Sequence, residues 1–346
     1  MVKNNLKDIL KIKIIGVGGA GGNMINRIWE SRIRGIDLIA INTDVQDLLK
    51  IKARKKIKIG KDETKGFGTG MDPTIGEIAA SKDIVKIKEA IKDSDFLVLV
   101  GGLGGGTGSG ALPVISELAK EMKILTVGIF TFPFEFEGPV RMEIAQESFN
   151  KIKDFIDAYI TIENDMIFKI IDKDVSLEEA FLKVDEILKK LIEGISYLII
   201  NPGLVNVDFA DIRLVLKDAG QLFIGIGEGE GEEKVKSAIQ NALNSPILNT
   251  NFFNAKRVLF NIIGGPDLTI KEVKEIADKI KDQVDKVNSK IIFGATVSEK
   301  MKNKLRLILM ASNFSNQPAI EIDSDFEREI FDVPAFLRKN KNQNEK

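Results

Sequence analysis

Seven glycines occur within ten residues at Gly101-Gly102-Leu103-Gly104-Gly105-Gly106-Thr107-Gly108-Ser109-Gly110. An apolar run at residues 96–100 precedes this stretch, and apolar residues spaced three or four apart follow it, at Leu112, Ile115, Leu118 and Met122. The pattern predicts a strand, a glycine loop and a helix. Because glycine lets the backbone approach a ligand and a helix N-terminus attracts anions, we predict a phosphate site to which Thr107 and Ser109 add hydroxyl donors. A flexible linker is the simpler alternative, but a linker need not lie between a strand and a helix.

The composition excludes several classes of function. The chain has 346 residues, with 50 Lys and Arg against 51 Asp and Glu, so no basic excess indicates a nucleic-acid ligand. It contains no cysteine and no histidine, which excludes disulfides, imidazole bases and the usual zinc sites. No apolar run approaches the ~20 residues of a membrane span, and residues 1–10 lack the apolar core of a signal peptide. We expect a cytoplasmic protein with no direct membrane insertion and no metal site of its own.

A second glycine-rich segment, Gly18-Gly19-Ala20-Gly21-Gly22-Asn23, follows a predicted strand at residues 12–17. The helix after it should extend to about Arg34, with its inner side formed by Met24, Ile28 and Trp29.

Gly16, Gly18 and Gly21 have the G-x-G-x-x-G spacing of dinucleotide folds. Asp44 follows the next predicted strand, residues 38–42, where such a fold holds a ribose. A nicotinamide-dependent oxidoreductase is therefore one hypothesis. Two glycine loops at one sheet edge fit a nucleoside triphosphate better, although the P-loop pattern G-x-x-x-x-G-K-[ST] is absent.

Strands and helices alternate as far as residue 162, which predicts an α/β fold with a parallel, doubly wound sheet. The remaining predicted elements of this part are helices at 74–92 and from about 141 to 156, and strands at 124–130 and 159–162. Residues 61–73 form a polar, glycine-containing loop that either covers the ligand or is an ordinary connection.

A long helix is predicted from Ser176, which has the N-cap position of a capping box with Glu179. Apolar residues are spread around this helix, so we expect it to lie between two domains and, at ~1.5 Å per residue, to be about 37 Å long. Phe181 and Asp185 lie four residues apart and would suit stacking on, and accepting hydrogen bonds from, a guanine. The alternatives are core packing and a solvated charge.

Asn206, Asp208 and Asp211 follow this helix. The two carboxylates are three apart at a predicted helix start, which suits water orientation or metal approach but also N-capping.

Residues 216–314 predict an α+β domain with helices at 232–244 and 270–287 and strands at 222–226, 258–263, 290–293 and 305–311. Glycine alternates with glutamate at 225–231, which predicts a turn.

Together these motifs resemble the tubulin/FtsZ family. Gly104-Gly105-Gly106-Thr107-Gly108-Ser109-Gly110 resembles its GGGTG[ST]G signature, and Asn206-Val207-Asp208-Phe209-Ala210-Asp211 resembles the catalytic loop of the FtsZ branch. Asp332-Val333-Pro334-Ala335-Phe336-Leu337-Arg338-Lys339 resembles the C-terminal peptide by which that branch binds its membrane tethers. Glu186 departs from the usual Asp or Asn, and the linker before the peptide is short.

The resemblance implies a Rossmann-like GTPase domain, a long central helix and an α+β C-terminal domain. The expected parts are an N-terminal tail (1–11), a GTP-binding domain (12–175), the central helix (176–200), a C-terminal domain (201–314), a linker (315–330) and a partner-binding peptide (331–346).

The resemblance also implies roles for individual residues. The implied nucleotide-binding residues are Gly19, Ala20, Gly21, Gly22, Asn23, Asp44, Gly104, Gly105, Gly106, Thr107, Gly108, Thr131, Glu137, Arg141, Asn164, Phe181 and Asp185. Asp208, Asp211 and Asn206 would act on the GTP of the neighbouring subunit in a head-to-tail filament, with Mg²⁺ bound mainly through the phosphates.

The implied function is GTP hydrolysis in filaments of the bacterial division ring, at the inner face of the membrane, with tethers and division proteins as partners. A GTP-binding adaptor that does not hydrolyse GTP remains a further alternative.

Overall fold

The computed structural model describes residues 10–169, 175–201, 203–243, 254–285 and 287–314. The predictions for the linker 315–330, for Asp332–Lys339 and for most of the N-terminal tail lie outside these residues.

The described strands form one sheet in the order β3-β2-β1-β4-β5-β6-β7-β10-β8-β9. They are β1 Ile12–Val17, β2 Ile36–Asn42, β3 Lys55–Lys58, β4 Phe96–Gly102, β5 Leu125–Phe132, β6 Ala158–Glu163, β7 Gly220–Glu230, β8 Arg257–Gly264, β9 Lys290–Val297 and β10 Lys304–Ser312. All neighbours from β3 to β7 are parallel, whereas β10 is antiparallel to both β7 and β8. The predicted α/β fold with a parallel sheet is confirmed.

Helices cover both faces of the parallel strands. They are α1 Gly18–Glu30, α2 Val45–Lys50, α3 Lys61–Thr64, α4 Pro73–Lys82, α5 Ile84–Ile91, α6 Gly106–Glu121, α7 Pro139–Ile152, α8 Leu177–Ile200, α9 Phe209–Leu216, α10 Lys234–Leu243 and α11 Ile270–Lys281. The single helix expected at 74–92 is two, because the chain turns at Asp83, whose carboxylate accepts a hydrogen bond from Gly60 N at 2.8 Å. Trp29, expected on the inner side of α1, is 45% exposed.

The central helix α8 contains 24 residues and begins where the sequence predicts, since Ser176 Oγ accepts a hydrogen bond from Glu179 N at 3.2 Å. Buried apolar residues line it from Val184 to Leu198. It packs against both α1 and β7, and so connects the two parts of the sheet.

The turn predicted at residues 225–231 is wrong, because β7 continues to Glu230. A Cβ atom on Gly225, Gly227 or Gly229 would lie only 2.0, 1.9 or 2.0 Å, respectively, from a backbone carbonyl oxygen of α10. These glycines therefore let α10 pack directly on the strand.

Candidate functional site

A cavity of about 410 Å³ opens at the carboxyl ends of β1, β4 and β5. It is lined by Val17, Gly18, Gly19, Ala20, Thr69, Met71, Gly102, Leu103, Gly105, Gly106, Thr107, Gly108, Thr131, Pro133, Glu137, Arg141, Asn164 and Phe181. The structure therefore brings both glycine segments to one cavity, together with part of the loop at residues 61–73.

The two glycine segments meet at the start of two helices. Gly18 has a φ of +73°, and a Cβ atom there would lie 3.2 Å from Gly108 N. The N-termini of α1 and α6 thus lie side by side at the cavity. Free N–H groups and the positive ends of two helix dipoles are what a polyphosphate requires.

The hydroxyl groups of the second glycine segment have partners within the protein. Thr107 Oγ1 lies 2.7 Å from Thr43 Oγ1, and this pair is buried. Ser109 Oγ accepts a hydrogen bond from Gly104 N at 2.9 Å, so it stabilises the loop and does not line the cavity. Because Ser109 is buried away from the cavity, the structure does not support the expectation that it donates to an anion there.

An ion pair forms one wall of the cavity. The Arg141 guanidinium donates a hydrogen bond to the Glu137 carboxylate, whose other oxygen accepts one from Phe134 N at 2.9 Å. Arg141 Nε also lies 3.4 Å from the Gly104 carbonyl oxygen. The pair connects α7 to the glycine loop and places a cation and an anion where a ribose and phosphate would lie.

The far end of the cavity has the chemistry to recognise a purine. Asn164 Oδ1 is buried and makes no hydrogen bond with the described residues, although buried acceptors are nearly always paired. The Phe181 ring is 42% exposed and packs edge-on against the buried Phe134 ring, with centroids 5.2 Å apart. An unpaired acceptor and an exposed, well-supported ring lie where a base could bind.

Asp185 lies beside this end, in an adjoining cavity of about 560 Å³ that Asn23 and Phe181 also line. Burial raises the pKa of Asp185, and Arg27, whose Nε lies 3.7 Å from the carboxylate, partly opposes that increase. Sequence reasoning missed Arg27. The available signal was its position four residues after Asn23 on α1, which places both on one helix face.

Six predicted binding residues do not line the cavity: Asn23 and Asp185 line the adjoining one, and the other four lie outside both for steric or hydrogen-bonding reasons. Gly21 packs on Gly16 and Val100, and Gly22 packs on Ile51. The Asp44 carboxylate caps α2 by accepting a hydrogen bond from Asp47 N at 3.1 Å. Gly104 shapes the loop through the contacts with Ser109 and Arg141 given above.

The predicted carboxylate pair begins α9, as the N-capping alternative required. Asp208 Oδ1 accepts a hydrogen bond from Asp211 N at 2.9 Å, and Asp211 Oδ2 accepts one from Asp208 N at 3.2 Å. The second oxygen of each carboxylate makes no hydrogen bond to any residue that the structure describes. Asn206 Oδ1 accepts a hydrogen bond from Gly203 N at 3.3 Å.

The carboxylates and the cavity lie at opposite ends of α8. Phe181 is in the first turns of this helix, and Asn206 follows its last residue, Ile200. Nineteen residue steps from Phe181 to Ile200 correspond to about 28 Å at ~1.5 Å per residue. Phe209, next to Asp208, packs edge-on against Phe96 at the first residue of β4, whereas the cavity opens at the last residue of that strand, so one chain does not bring both groups together.

The described residues contain no cluster of acidic side chains that could hold a metal ion. Among the same residues, no helix is both long and apolar enough to cross a bilayer.

Comparisons with known proteins agree with this geometry. Residues 11–172 match the GTPase domain of the Tubulin/FtsZ family, and residues 220–315 match the C-terminal domain of the FtsZ family. The cell division protein FtsZ of Aquifex aeolicus is 44% identical over 308 residues, covering 89% of this chain and 84% of that protein.

Solved structures show the same similarity. An empty FtsZ dimer from M. jannaschii matches with a TM-score of 0.81 and 41% identity, over 89% of each chain. CetZ2 from Haloferax volcanii shares the fold, with a TM-score of 0.77 and 21% identity, over 92% of this chain and 98% of that one. Nothing in these comparisons supports a nicotinamide-dependent oxidoreductase. The chain belongs to the tubulin/FtsZ family and carries both the GTPase domain and the FtsZ-type C-terminal domain.

Proposed function

We propose that this protein is a GTPase of cell division that assembles head to tail, with GTP bound by the glycine-lined cavity of one subunit and hydrolysed with the carboxylates of the next. The observation that carries the proposal is that α8 rises about 28 Å from Phe181, at the cavity, to Ile200, beyond which Asp208 and Asp211 lie. Both sites have functional chemistry, and only contact between copies joins them.

The cavity suits GTP at each of its parts. The paired N-termini of α1 and α6 would bind phosphates, and Thr131, Glu137 and Arg141 would contact ribose and phosphate. Asn164 Oδ1 and the Asp185 carboxylate are acceptors for guanine N–H groups, for which adenine has no equivalent pattern. Mg²⁺ would take the phosphate oxygens as its main ligands and neutralise part of their charge.

The capping box would hold the carboxylates in position to act on a water molecule. Each uses one oxygen to accept a hydrogen bond from a backbone N–H, and its other oxygen makes no hydrogen bond within the described residues. In the next subunit, these oxygens would orient a water for in-line attack on the γ-phosphorus, where the new O–P bond forms as the bond to GDP breaks. Asn206 would complete the polar group around that water.

A head-to-tail contact of this kind does not close on itself and so produces a filament. A dimer has been described for the M. jannaschii FtsZ that this chain resembles. We further propose, on the sequence resemblance of residues 332–339, that they bind tethers and hold filaments at the division site near the inner face of the membrane.

Turnover as a function of protein concentration tests the shared site. GTP hydrolysis per subunit should rise steeply above a threshold concentration, because a lone subunit has half of the machinery. Turnover per subunit that is constant from nanomolar to micromolar protein would overturn the proposal. If GTP is hydrolysed no faster with the protein than without it, the protein would instead be the non-hydrolysing adaptor.

Asp211→Asn tests the carboxylates while preserving an oxygen that can cap α9. We expect GTP affinity to be unchanged and turnover to fall by about 100-fold or more, the size typical of losing one group that orients a reacting water. An equal mixture of this variant with one whose cavity is defective should restore turnover to about a quarter of the parent level. In random filaments of the two, about one junction in four joins an intact cavity to an intact carboxylate pair. No recovery in a mixture that forms filaments would exclude sharing between subunits.

A further inference from the structure

The edge of the sheet at β3 carries a concentration of positive charge that the proposed GTPase function does not use. Basic side chains occupy six of the nine positions from 50 to 58, namely Lys50, Lys52, Arg54, Lys55, Lys56 and Lys58. Arg54 pairs with Asp37, and Lys50 lies 3.5 Å from Asp47. The other four lysines, which we call the basic edge, form no ion pair within the described ranges of the chain.

The basic edge also has unpaired backbone. β3 is the first strand of the sheet, and among the described residues it pairs only with β2. Ile57 is buried, whereas Lys55 and Lys56 are exposed. Free N–H and C=O groups along such a strand can accept an added extended segment. Edge lysines usually prevent that addition by repulsion, so the expected occupant is acidic.

The chain itself contains a segment with the complementary pattern. Between Ile320 and Ile330, a carboxylate occurs at every second position: Glu321, Asp323, Asp325, Glu327 and Glu329. If such a segment binds in extended form, its carboxylates share one side at a spacing of about 6.6 Å. Glu228 and Glu230 also alternate, but they lie in β7, pair with β10 and form ion pairs with Arg306 and Lys304.

The reach of the chain decides which copy receives the segment. β10 is eighth in the sheet and β3 is first, so seven strand spacings of ~4.8 Å separate them by about 34 Å. From Phe314 to Glu321 is seven residues, which span at most about 25 Å even when fully extended. Glu321 therefore falls short of the basic edge of its own chain, so the whole run from Glu321 to Glu329 can dock only on a neighbouring copy.

We propose that the acidic segment of one copy docks on the basic edge of a second copy as an added strand. The edge lies at the side of the sheet, whereas the cavity opens at the strand ends. The contact therefore leaves the head-to-tail contact free and would join filaments side by side. It does not depend on GTP hydrolysis, so its test and the test of the GTPase fail independently.

Isotope-resolved crosslinking of the full chain tests the docking directly. Equal amounts of ¹⁴N- and ¹⁵N-labelled protein are mixed and treated with a zero-length carbodiimide, which joins lysines to carboxylates in contact. We expect mixed-label crosslinks between the basic edge and Glu321–Glu329. Their yield should fall at least about fivefold from 0.1 to 1 M salt, as the screening length falls from about 10 to about 3 Å.

Two reversed-charge variants make the test specific. Lys55→Glu with Lys56→Glu should lower the crosslinks at Lys52 by at least about fivefold, and Asp325→Lys with Glu327→Lys should do the same. Each variant alone should lose side-by-side association, and a mixture of the two should recover it, because opposite charges again meet. Lys88→Glu with Lys123→Glu, at exposed lysines away from β3, is the charge-matched control and should change nothing.

Several outcomes would overturn the proposal. Crosslinks restricted to one label would assign the basic edge to the segment of its own chain. Absence of crosslinks at the basic edge, or crosslinks that persist in both variants, would remove the docking altogether. The surface would instead be assigned to lipid headgroups by two results together. The protein would bind phosphatidylglycerol vesicles unless Lys55→Glu and Lys56→Glu are present, and no mixed-label crosslinks would form.

Discussion

Two glycine-rich stretches of this chain, 101–110 and 225–231, use the same residue for opposite purposes. A Cβ atom on Gly105 would meet nothing within 4 Å, because this position borders the open cavity. A Cβ atom on Gly227 would lie 1.9 Å from the Ala238 carbonyl oxygen. The first stretch provides space for a ligand, and the second removes space between a strand and a helix.

The glycines of the first stretch also differ from one another in this way. Gly105 lies at the cavity, but a Cβ atom on Gly110 would lie 2.1 Å from the Pro73 carbonyl oxygen. The last glycines of the stretch therefore belong to α6 and let α4 approach it closely. A glycine that borders the cavity and a glycine packed inside an element are required for different physical reasons. Single substitutions can distinguish the two.

The largest expected effect is a loss of stability at the second stretch. Gly227→Ala should lower the free energy of unfolding by about 3 kcal/mol, because its methyl group would overlap backbone atoms of α10. Urea unfolding measures this, and GTP affinity of the folded fraction should be unchanged. Wild-type stability in this variant would show that glycine is not required for the packing of α10 on β7.

The reciprocal substitution, Gly105→Ala, should affect binding and not folding. Gly105 has a φ of -103°, which alanine adopts readily, so stability should stay within about 1 kcal/mol. GTP affinity should fall by about 30-fold, or about 2 kcal/mol, since the methyl group enters the space proposed for phosphates. Calorimetric titration with GTP measures the effect. Normal affinity would mean that phosphates do not bind beside Gly105.

The unpaired acceptor at the base end gives a smaller effect. Asn164→Ala should lower GTP affinity by about fivefold, or about 1 kcal/mol, because a hydrogen bond to guanine is lost. Ser116→Ala is the matched control, since Ser116 Oγ is also buried without a partner among the described residues but lies outside the cavity. Equal losses in the two variants would remove Asn164 from base recognition.

The smallest expected effect is a pH dependence of binding. Burial raises the pKa of Asp185, and its ionised form is the one that accepts guanine N–H groups. GTP affinity should therefore fall on acidification at a higher pH than for an ordinary aspartate. The free protein should become more stable as pH falls through the same raised pKa, because the folded state then binds the proton more tightly than the unfolded state. Matching pH profiles for the parent and Asp185→Asn would contradict this role.

Much of the fold could be predicted because it depends on local patterns. Apolar runs located the parallel strands, and Ser176 with Glu179 located the start of α8. The turn expected at 225–231 and the single helix expected at 74–92 were wrong for one reason. In each case the local structure depends on a contact with a distant part of the chain. Strand β7 packs on α10, and the turn at Asp83 accepts a hydrogen bond from Gly60.

The candidate site divides in the same way. The residue types that suit GTP, from the glycine segments to Asn164 and Phe181, were evident from the sequence. Arg27, Thr43 and the internal hydrogen bond of Ser109 were not, because each involves a partner at least five residues away that only folding brings into contact.

The sequence by itself determined the family, the glycine segments and the carboxylate pair, since motif spacing is carried along the chain. Only the tertiary structure decided which glycines border a cavity and which admit a helix, because that depends on what a Cβ atom would touch. It also decided that α8 separates the cavity from Asp208 and Asp211, since a helix has a fixed rise of ~1.5 Å per residue. That rigid separation is the physical reason for proposing that the site is completed by another copy.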